Sequence, residues 1–102
     1  MNKMALVFQN SAKQDIKDIV KWYNSKKQGL GKEFYSEVKS KAKQLTTFPY
    51  SFQNRYSDVR TAVLKVFPYM LHYVVDFERK KVVILTVLHT SRNPKIWNDI
   101  KR

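Results

Sequence analysis

The sequence predicts an α+β domain of the order β-α-α-β-β-β-(α), with a four-stranded antiparallel sheet and an αα-hairpin on one face. Three observations lead to this prediction: helical apolar spacing fills the first half, β-branched and aromatic runs fill the second, and the only two glycines lie between two helical patterns. A chain of 102 residues can bury one core and has no room for another, so we expect a single domain over residues 1–102.

The first elements follow from apolar spacing near the N-terminus. Residues 4–8 form an apolar run of strand length. Ser11 and Gln14 then stand three positions apart, as in a capping box, and predict the start of a helix. Its apolar face repeats at i, i+3, i+4 and i+7, through Ile16, Ile19, Val20 and Tyr23. Asn24 and Ser25 mark its expected end.

The two glycines predict a corner between two helices. Gly29 and Gly31 flank Leu30, and glycine permits the left-handed or sharp backbone needed at a helix C-terminus. A second apolar stripe follows at helical spacing, through Phe34, Val38, Ala42, Leu45 and Phe48. We expect this helix to run from about Lys32 until Pro49 ends it, so the first half is a helical hairpin.

The second half predicts three antiparallel strands. Residues 59–67, 69–77 and 82–88 are rich in β-branched and aromatic side chains, and Pro68 and the charged turn at 78–81 separate them. The third run is apolar at successive positions, as in a central strand, so we place it beside the N-terminal strand.

A short terminal helix completes the predicted order. Pro94 stands at its first helical position, and residues 93–102 continue at near-helical spacing.

Both helices of the hairpin are expected to cover one face of the sheet, because that arrangement buries both of their apolar stripes. We expect the other face to stay open.

The charge balance points to an anionic partner. Twenty Lys and Arg against eight Asp and Glu give a formal net charge of +12. Self-repulsion of this size is relieved when a polyanion or an acidic protein binds.

The composition disfavours other function classes. Without cysteine the chain has neither disulfides nor thiolate metal sites. The apolar N-terminal run is too short for a signal peptide or a membrane span, so we expect a cytoplasmic protein with no membrane association. A phosphate-binding glycine loop and a cluster of histidines with carboxylates are both missing, so we expect neither a cofactor nor a metal.

Basic and imidazole side chains on the predicted meander, interleaved with tyrosines, form the candidate site. They are Arg55, Arg60, Lys65, His72, His89 and Arg92. RNA cleavage without a metal needs a base, an acid and cations around the phosphate, and this set could supply all three. A two-residue turn at 79–80 or 80–81 would place both histidines on one sheet face.

Structural explanations of the same residues stay open. His72 in an aromatic strand also fits a buried structural histidine. Arg60 and Lys65 have opposite parity, so a regular strand would turn only one of them toward a common cleft. The first helix carries a ladder of like charges at i, i+4 spacing, which is either a solvated face or a binding surface: Lys13, Lys17 and Lys21.

The order of elements and the C-terminal motif resemble the RelE/ParE superfamily of toxins from bacterial type II toxin-antitoxin modules. The resemblance covers essentially the full chain and rests on motifs in both halves. They are Trp22-Tyr23, Gly29-Leu30-Gly31, Phe67-Pro68-Tyr69 and Leu88-His89-x-x-Arg92-Asn93-Pro94-x-x-Trp97.

The resemblance implies a toxin that arrests growth when it is free of a cognate acidic antitoxin. Superfamily members either cut mRNA in the ribosomal A site or inhibit DNA gyrase. By position, Arg60 and Arg92 match arginines of these toxins and His89 matches the histidine of their His-x-x-Arg pattern, which makes the three the implied catalytic residues. Further expected contacts are nucleic acid for Arg55, Lys65 and His72, and the antitoxin for Lys13, Lys17 and Lys21.

One departure bears on the target. After Arg92 the RNA-cleaving members tend to have a tyrosine or a histidine, whereas this chain has Ile96, Trp97 and Asn98. This departure fits the ParE-like, gyrase-inhibiting side. The alternative is a basic nucleic-acid- or protein-binding domain without toxicity, and the oligomeric state stays open.

Overall fold

The computed structural model describes residues 3–91. The elements are β1 (Ala5–Phe8), α1 (Asn10–Lys26), α2 (Leu30–Thr47), β2 (Asn54–Tyr56), β3 (Val59–Val63), β4 (Tyr69–Asp76) and β5 (Lys81–His89). The predicted α+β class and the helical hairpin are confirmed, while the expected terminal helix at 93–102 lies outside the described residues.

Over residues 3–91 the sheet has five strands in the order β1-β5-β4-β3-β2, so the predicted count of four is wrong by one. The short strand β2 pairs antiparallel with β3, and its three residues lack the apolar run by which the other strands were found. The meander and the placement of β5 beside β1 are confirmed, but β1 runs parallel to β5. Strands β2 to β5 alternate in direction, so β3 runs parallel to β5 and therefore to β1. The added strand β2 contributes one more reversal, which turns the expected antiparallel neighbour into a parallel one.

The core lies between the helical hairpin and one face of the sheet, as predicted. Ile16, Phe34, Val38 and Leu45 are buried there together, while Ile19 and Val20 are partly buried against them. The sheet contributes the facing side chains Ala62, Leu71, Tyr73, Val82, Ile84 and Val87.

Both positions at the corner between α1 and α2 require glycine. Gly29 adopts a left-handed backbone with φ of 88°, which glycine tolerates without strain. Gly31 lies against α1, where an added Cβ would approach the carbonyl oxygen of Val20 to 2.5 Å. The backbone N–H of Gly31 also donates to Asn24 Oδ1 at 2.8 Å. The missing side chain therefore lets the two helices approach closely.

A β-bulge in β5 reverses the expected relation between the two histidines. Asp76 pairs with Lys81 across a four-residue loop, and Tyr73 pairs with Ile84, but His72 pairs with Thr86. The loop alone would have kept His72 and His89 on one face, as the predicted two-residue turn does. The extra residue at the bulge shifts the register by one, so the predicted common face is wrong and the two rings lie on opposite faces.

Helix α1 satisfies the backbone groups that the bulge exposes. The Ser11 hydroxyl donates to the carbonyl oxygen of Leu85 at 2.6 Å. Asp15 Oδ2 accepts the backbone N–H of Val87 at 3.0 Å and also the Thr86 hydroxyl. The predicted capping box is therefore wrong. Gln9 is the N-cap of α1 and forms no side-chain cap, and the Ser11 hydroxyl binds the backbone of β5 instead.

The sheet face away from the helices is less open than predicted. Thr61, Met70 and His72 lie on this face and are buried. One reason is β2, because the Tyr56 hydroxyl lies 3.1 Å from His72 Nδ1.

Candidate functional site

A cationic groove of about 900 Å³ runs between α1 and α2 near the end of β1. Its apolar part is formed by Phe8, Ile16 and Val20 with the backbone of Gly31. The remaining lining residues are Lys13, Lys17, Lys21, Asn24, Lys32 and Tyr35. The structure thus brings the three lysines of the predicted ladder together on one wall, and Lys32 and Tyr35 join them from α2.

The chemistry of the groove suits an acidic amphipathic segment. Among the residues that the structure describes, four lysines line the groove and no carboxylate does. Within residues 3–91, none of these lysines forms an ion pair. An apolar stripe flanked by acidic side chains would cover the groove floor and neutralise its walls. Sequence reasoning missed Lys32 and Tyr35, because only the helix packing across Gly31 places them opposite the ladder.

Arg60 is held by the loop that precedes β2. Its guanidinium Nη1 donates to the carbonyl oxygen of Phe52 at 2.7 Å, and its Cζ lies 5.0 Å from the ring centroid of Tyr50. The neighbouring Tyr73 hydroxyl donates to the carbonyl oxygen of Pro49 at 2.8 Å. Burial raises the pKa of Tyr73 to about 12 although Arg60 opposes the rise, so the phenol stays a neutral donor. Arg60 therefore has a structural role in fastening this loop to β3.

His72 is fully buried on the opposite sheet face. Burial, with a smaller contribution from the Arg55 guanidinium, lowers the pKa of His72 to about 4. Arg55 itself is exposed, and its Nε donates to the Thr61 hydroxyl at 3.2 Å. The neutral, buried ring of His72 agrees with the structural explanation of this histidine and offers no charge to a nucleic acid.

His89 closes β5 and is partly exposed. Its Nδ1 accepts the backbone N–H of Ser91 at 3.1 Å and lies 2.8 Å from the Ser91 hydroxyl oxygen. The ring packs edge-to-face against Tyr69 with centroids 5.1 Å apart. Sequence reasoning missed the role of Ser91, although its position two residues after a candidate histidine was an available signal.

Two of the three predicted catalytic residues, Arg60 and His89, are described by the structure and lie apart on the sheet. Arg60 pairs with Tyr73 and His89 pairs with Tyr69, so the two lie on the same face but on strands either side of β4. Strand spacing and rise then separate their Cα atoms by roughly 16 Å. Arg92 lies outside the described residues.

Lys65 belongs to the loop between β3 and β4 and is exposed. Its backbone N–H, like those of Val66 and Phe67, donates to the Glu37 carboxylate on α2. Three successive backbone donors on one carboxylate tie this loop to the helical hairpin. In the same loop, the carbonyl oxygen of Pro68 accepts the backbone N–H of Thr90 at 2.9 Å, which links the loop to the residue that follows His89.

Clusters of metal-binding side chains and membrane-spanning helices are both absent from residues 3–91. Over the described range, no three His, Asp or Glu residues come together as metal ligands would. No helix between residues 3 and 91 combines the length and apolar character needed to span a bilayer.

The buried histidine predicts a pH-dependent stability. Because the pKa of His72 is about 4 when folded and 6.5 when exposed, the unfolded state binds more protons between these values. The His72 contribution is fully present above pH 6.5 and is lost by up to roughly 1.4 kcal/mol per pH unit as the pH falls toward 4. Urea unfolding at pH 5 and pH 7 measures this difference in the free energy of unfolding.

The matched variants for this experiment are His72→Gln and His89→Gln. The first should flatten the difference between the two pH values by more than the second, because of the two rings only that of His72 is fully buried. Equal pH dependence in wild type and His72→Gln would show that other groups carry the effect.

The fold and the cationic groove define a class of small basic α+β domain with a lysine-lined groove along its helical hairpin. The chain belongs to the ParE toxin family: the model for the ParE toxin of the type II toxin-antitoxin system, parDE, matches residues 6–94. No curated protein sequence matches the chain significantly.

Solved structures of related toxins share the fold at low sequence identity. A chromosomal ParDE toxin-antitoxin system from P. aeruginosa matches with a TM-score of 0.76 at 18% identity, over 87% of this chain and 98% of that one. An E. coli RelE toxin mutant in the free state matches with 0.72 at 18% identity, over 97% and 95%. The RelBE2 toxin-antitoxin complex from Mycobacterium tuberculosis matches with 0.63 at 22% identity, over 86% and 99%. These structures show that the chain shares the RelE/ParE fold. The family match makes it a toxin of a type II toxin-antitoxin system, with a cognate antitoxin as its partner.

Proposed function

We propose that this toxin arrests growth by inhibiting DNA gyrase, as ParE-like members do, and not by cleaving mRNA. The observation that carries the proposal is the separation of Arg60 from His89, the two members of the expected catalytic set that lie within residues 3–91. Arg60 contacts Phe52 and Tyr50 in the loop before β2, and its Cα lies roughly 16 Å from that of His89 across β4. Metal-independent cleavage needs an acid, a base and cations within reach of one phosphate.

The family match to the ParE toxin supports the same target. In this proposal His89 and Arg92 act as contacts to the target protein, while Arg55 and Lys65 add positive charge at the surface. A cytoplasmic location follows, because gyrase acts on chromosomal DNA.

We further propose that the antitoxin masks the toxin through the cationic groove. Lys13, Lys17 and Lys21 would pair with acidic side chains, and Ile16 and Val20 would receive an apolar stripe. A segment that folds as it binds can wrap such a groove and release it when the antitoxin is degraded.

Two assays test the proposed target, the first on purified toxin and the second in cells that express it. Gyrase supercoiling should be inhibited in proportion to toxin concentration, and antitoxin should restore it. Primer extension on translated mRNA should show no new 5′ ends after induction.

Three outcomes would contradict this proposal. Cleavage ends that disappear with His89→Ala would support the RNA-cleaving alternative. Growth arrest with neither gyrase inhibition nor cleavage would require another target. An absence of growth arrest would support a basic binding domain without toxicity.

A further inference from the structure

The His89 ring is held by contacts that specify one of its two nitrogens. Nδ1 faces the backbone N–H of Ser91 at 3.1 Å and the Ser91 hydroxyl oxygen at 2.8 Å. Tyr69 packs against the ring, and Thr90 N–H binds the carbonyl oxygen of Pro68 at 2.9 Å, which fastens the segment between His89 and Ser91. The position and the orientation of the imidazole are therefore both set.

These contacts select a protonation state by elementary hydrogen-bond chemistry. A hydroxyl can turn to donate or to accept, but a backbone N–H can only donate. Nδ1 must therefore present its lone pair to Ser91. In neutral imidazole one nitrogen carries the proton and the other accepts, so the proton lies on Nε2.

We infer that Ser91 is a positioning residue that holds His89 as the neutral tautomer protonated at Nε2, so that His89 donates one hydrogen bond to an acceptor oxygen of the target protein. This inference rests on the proposed function, since it takes His89 as a target contact. The acceptor is a backbone carbonyl or a carboxylate, both of which suit a neutral N–H donor.

The same geometry opposes a proton-transfer role for His89. A general acid would need the imidazolium, which places a hydrogen on Nδ1 directly against the Ser91 N–H. A general base acting through Nε2 would need the other neutral tautomer, which places a hydrogen on Nδ1 as well. Both forms therefore require the contact between His89 Nδ1 and Ser91 N–H to break.

The first test reads the tautomer directly by ¹⁵N NMR of the imidazole nitrogens. The chain has two histidines, so loss of one signal set in His89→Gln assigns the spectrum. At a pH above the ordinary range of imidazole titration, Nδ1 of His89 should resonate as an unprotonated, hydrogen-bonded nitrogen and Nε2 as a protonated one. Ser91→Ala removes only the hydroxyl, and should shift Nδ1 downfield without exchanging the tautomer.

A proton found on Nδ1 of His89 in the folded protein would overturn the inference. So would an Nδ1 resonance that does not move in Ser91→Ala. Both readings are independent of toxicity, so they stand even if the proposed target is wrong.

The second test compares two amide replacements of His89. The side-chain N–H of Gln reaches the position of Nε2, whereas the shorter Asn side chain reaches only the position of Nδ1. If His89 supplies one neutral hydrogen bond, His89→Gln should retain gyrase inhibition within a few-fold, and His89→Asn should weaken it about tenfold. Antitoxin binding, measured by titration, should be unchanged in both variants and shows that they fold.

Equal loss of activity in His89→Gln and His89→Asn would overturn the donor role. Failure of the proposed function looks different, because wild-type toxin would then leave gyrase uninhibited. In that case the same pair of variants, compared by growth arrest, still tests the donor role.

Discussion

Reversing the charge of Lys17 and Lys21 together is expected to weaken antitoxin binding on the order of 100-fold at low salt. Each substitution to Glu replaces an attraction with a repulsion, and two partly desolvated pairs contribute roughly 3 kcal/mol between them. Both side chains line the cationic groove with no ion pair inside the described part of the chain. Titration calorimetry with the cognate antitoxin at two salt concentrations measures the loss.

The matched control is the double variant Lys39→Glu and Lys43→Glu on α2. It has the same i, i+4 spacing and the same change in net charge, but neither residue lines the groove. We expect it to lower the affinity by much less than the groove variant. If the two double variants weaken binding equally, the affinity depends only on the net charge of +12, and the groove is not the antitoxin-binding site.

Removing the Asp15 carboxylate is expected to lower the free energy of unfolding by roughly 3 kcal/mol. Asp15 accepts the Val87 N–H and the Thr86 hydroxyl at the bulge in β5, where both residues are buried. Hydrogen bonds to a charged group contribute about 1.5–3 kcal/mol each, and Asp15→Ala leaves two buried donors without their acceptor. Urea denaturation at pH 7 gives the difference.

Asp18→Ala is the control for this prediction. Asp18 lies on the same helix and carries the same charge, and its one hydrogen-bond partner between residues 3 and 91 is the exposed Gln14 side chain at 2.9 Å. We expect it to change the free energy of unfolding by less than about 0.5 kcal/mol. Similar losses in Asp15→Ala and Asp18→Ala would mean that helix charge, and not the bulge contacts, determines the effect.

The bulge also connects stability to the site. By shifting the register of β5 it turns His89 toward the face that carries Tyr69 and away from His72. An Asp15 variant that stays folded is therefore a means to ask whether the direction of His89 matters for toxicity.

The sequence by itself determined the elements that depend on local spacing. The i, i+3 and i+4 repeats located both helices, Gly29 and Gly31 located their corner, and the apolar runs located the meander. The lysine ladder was found on one helix face for the same reason, because residues four apart share a face of any α-helix. The resemblance to RelE/ParE toxins rested on the order of these same elements.

Tertiary structure alone decided the direction of β1, the sheet face on which each histidine lies and the contacts of Arg60 with the loop before β2. These features depend on partners far apart in sequence: Asp15 meets Val87 across 72 positions, and the bulge that it supports reverses every side chain beyond it. Periodicity assigns residues to the faces of one helix or strand. It cannot predict the one extra residue of the bulge in β5, because that bulge is stabilised by the distant Asp15 carboxylate. The sequence could therefore supply the groups of a candidate site, whereas the hydrogen bonds between elements determined which of those groups meet.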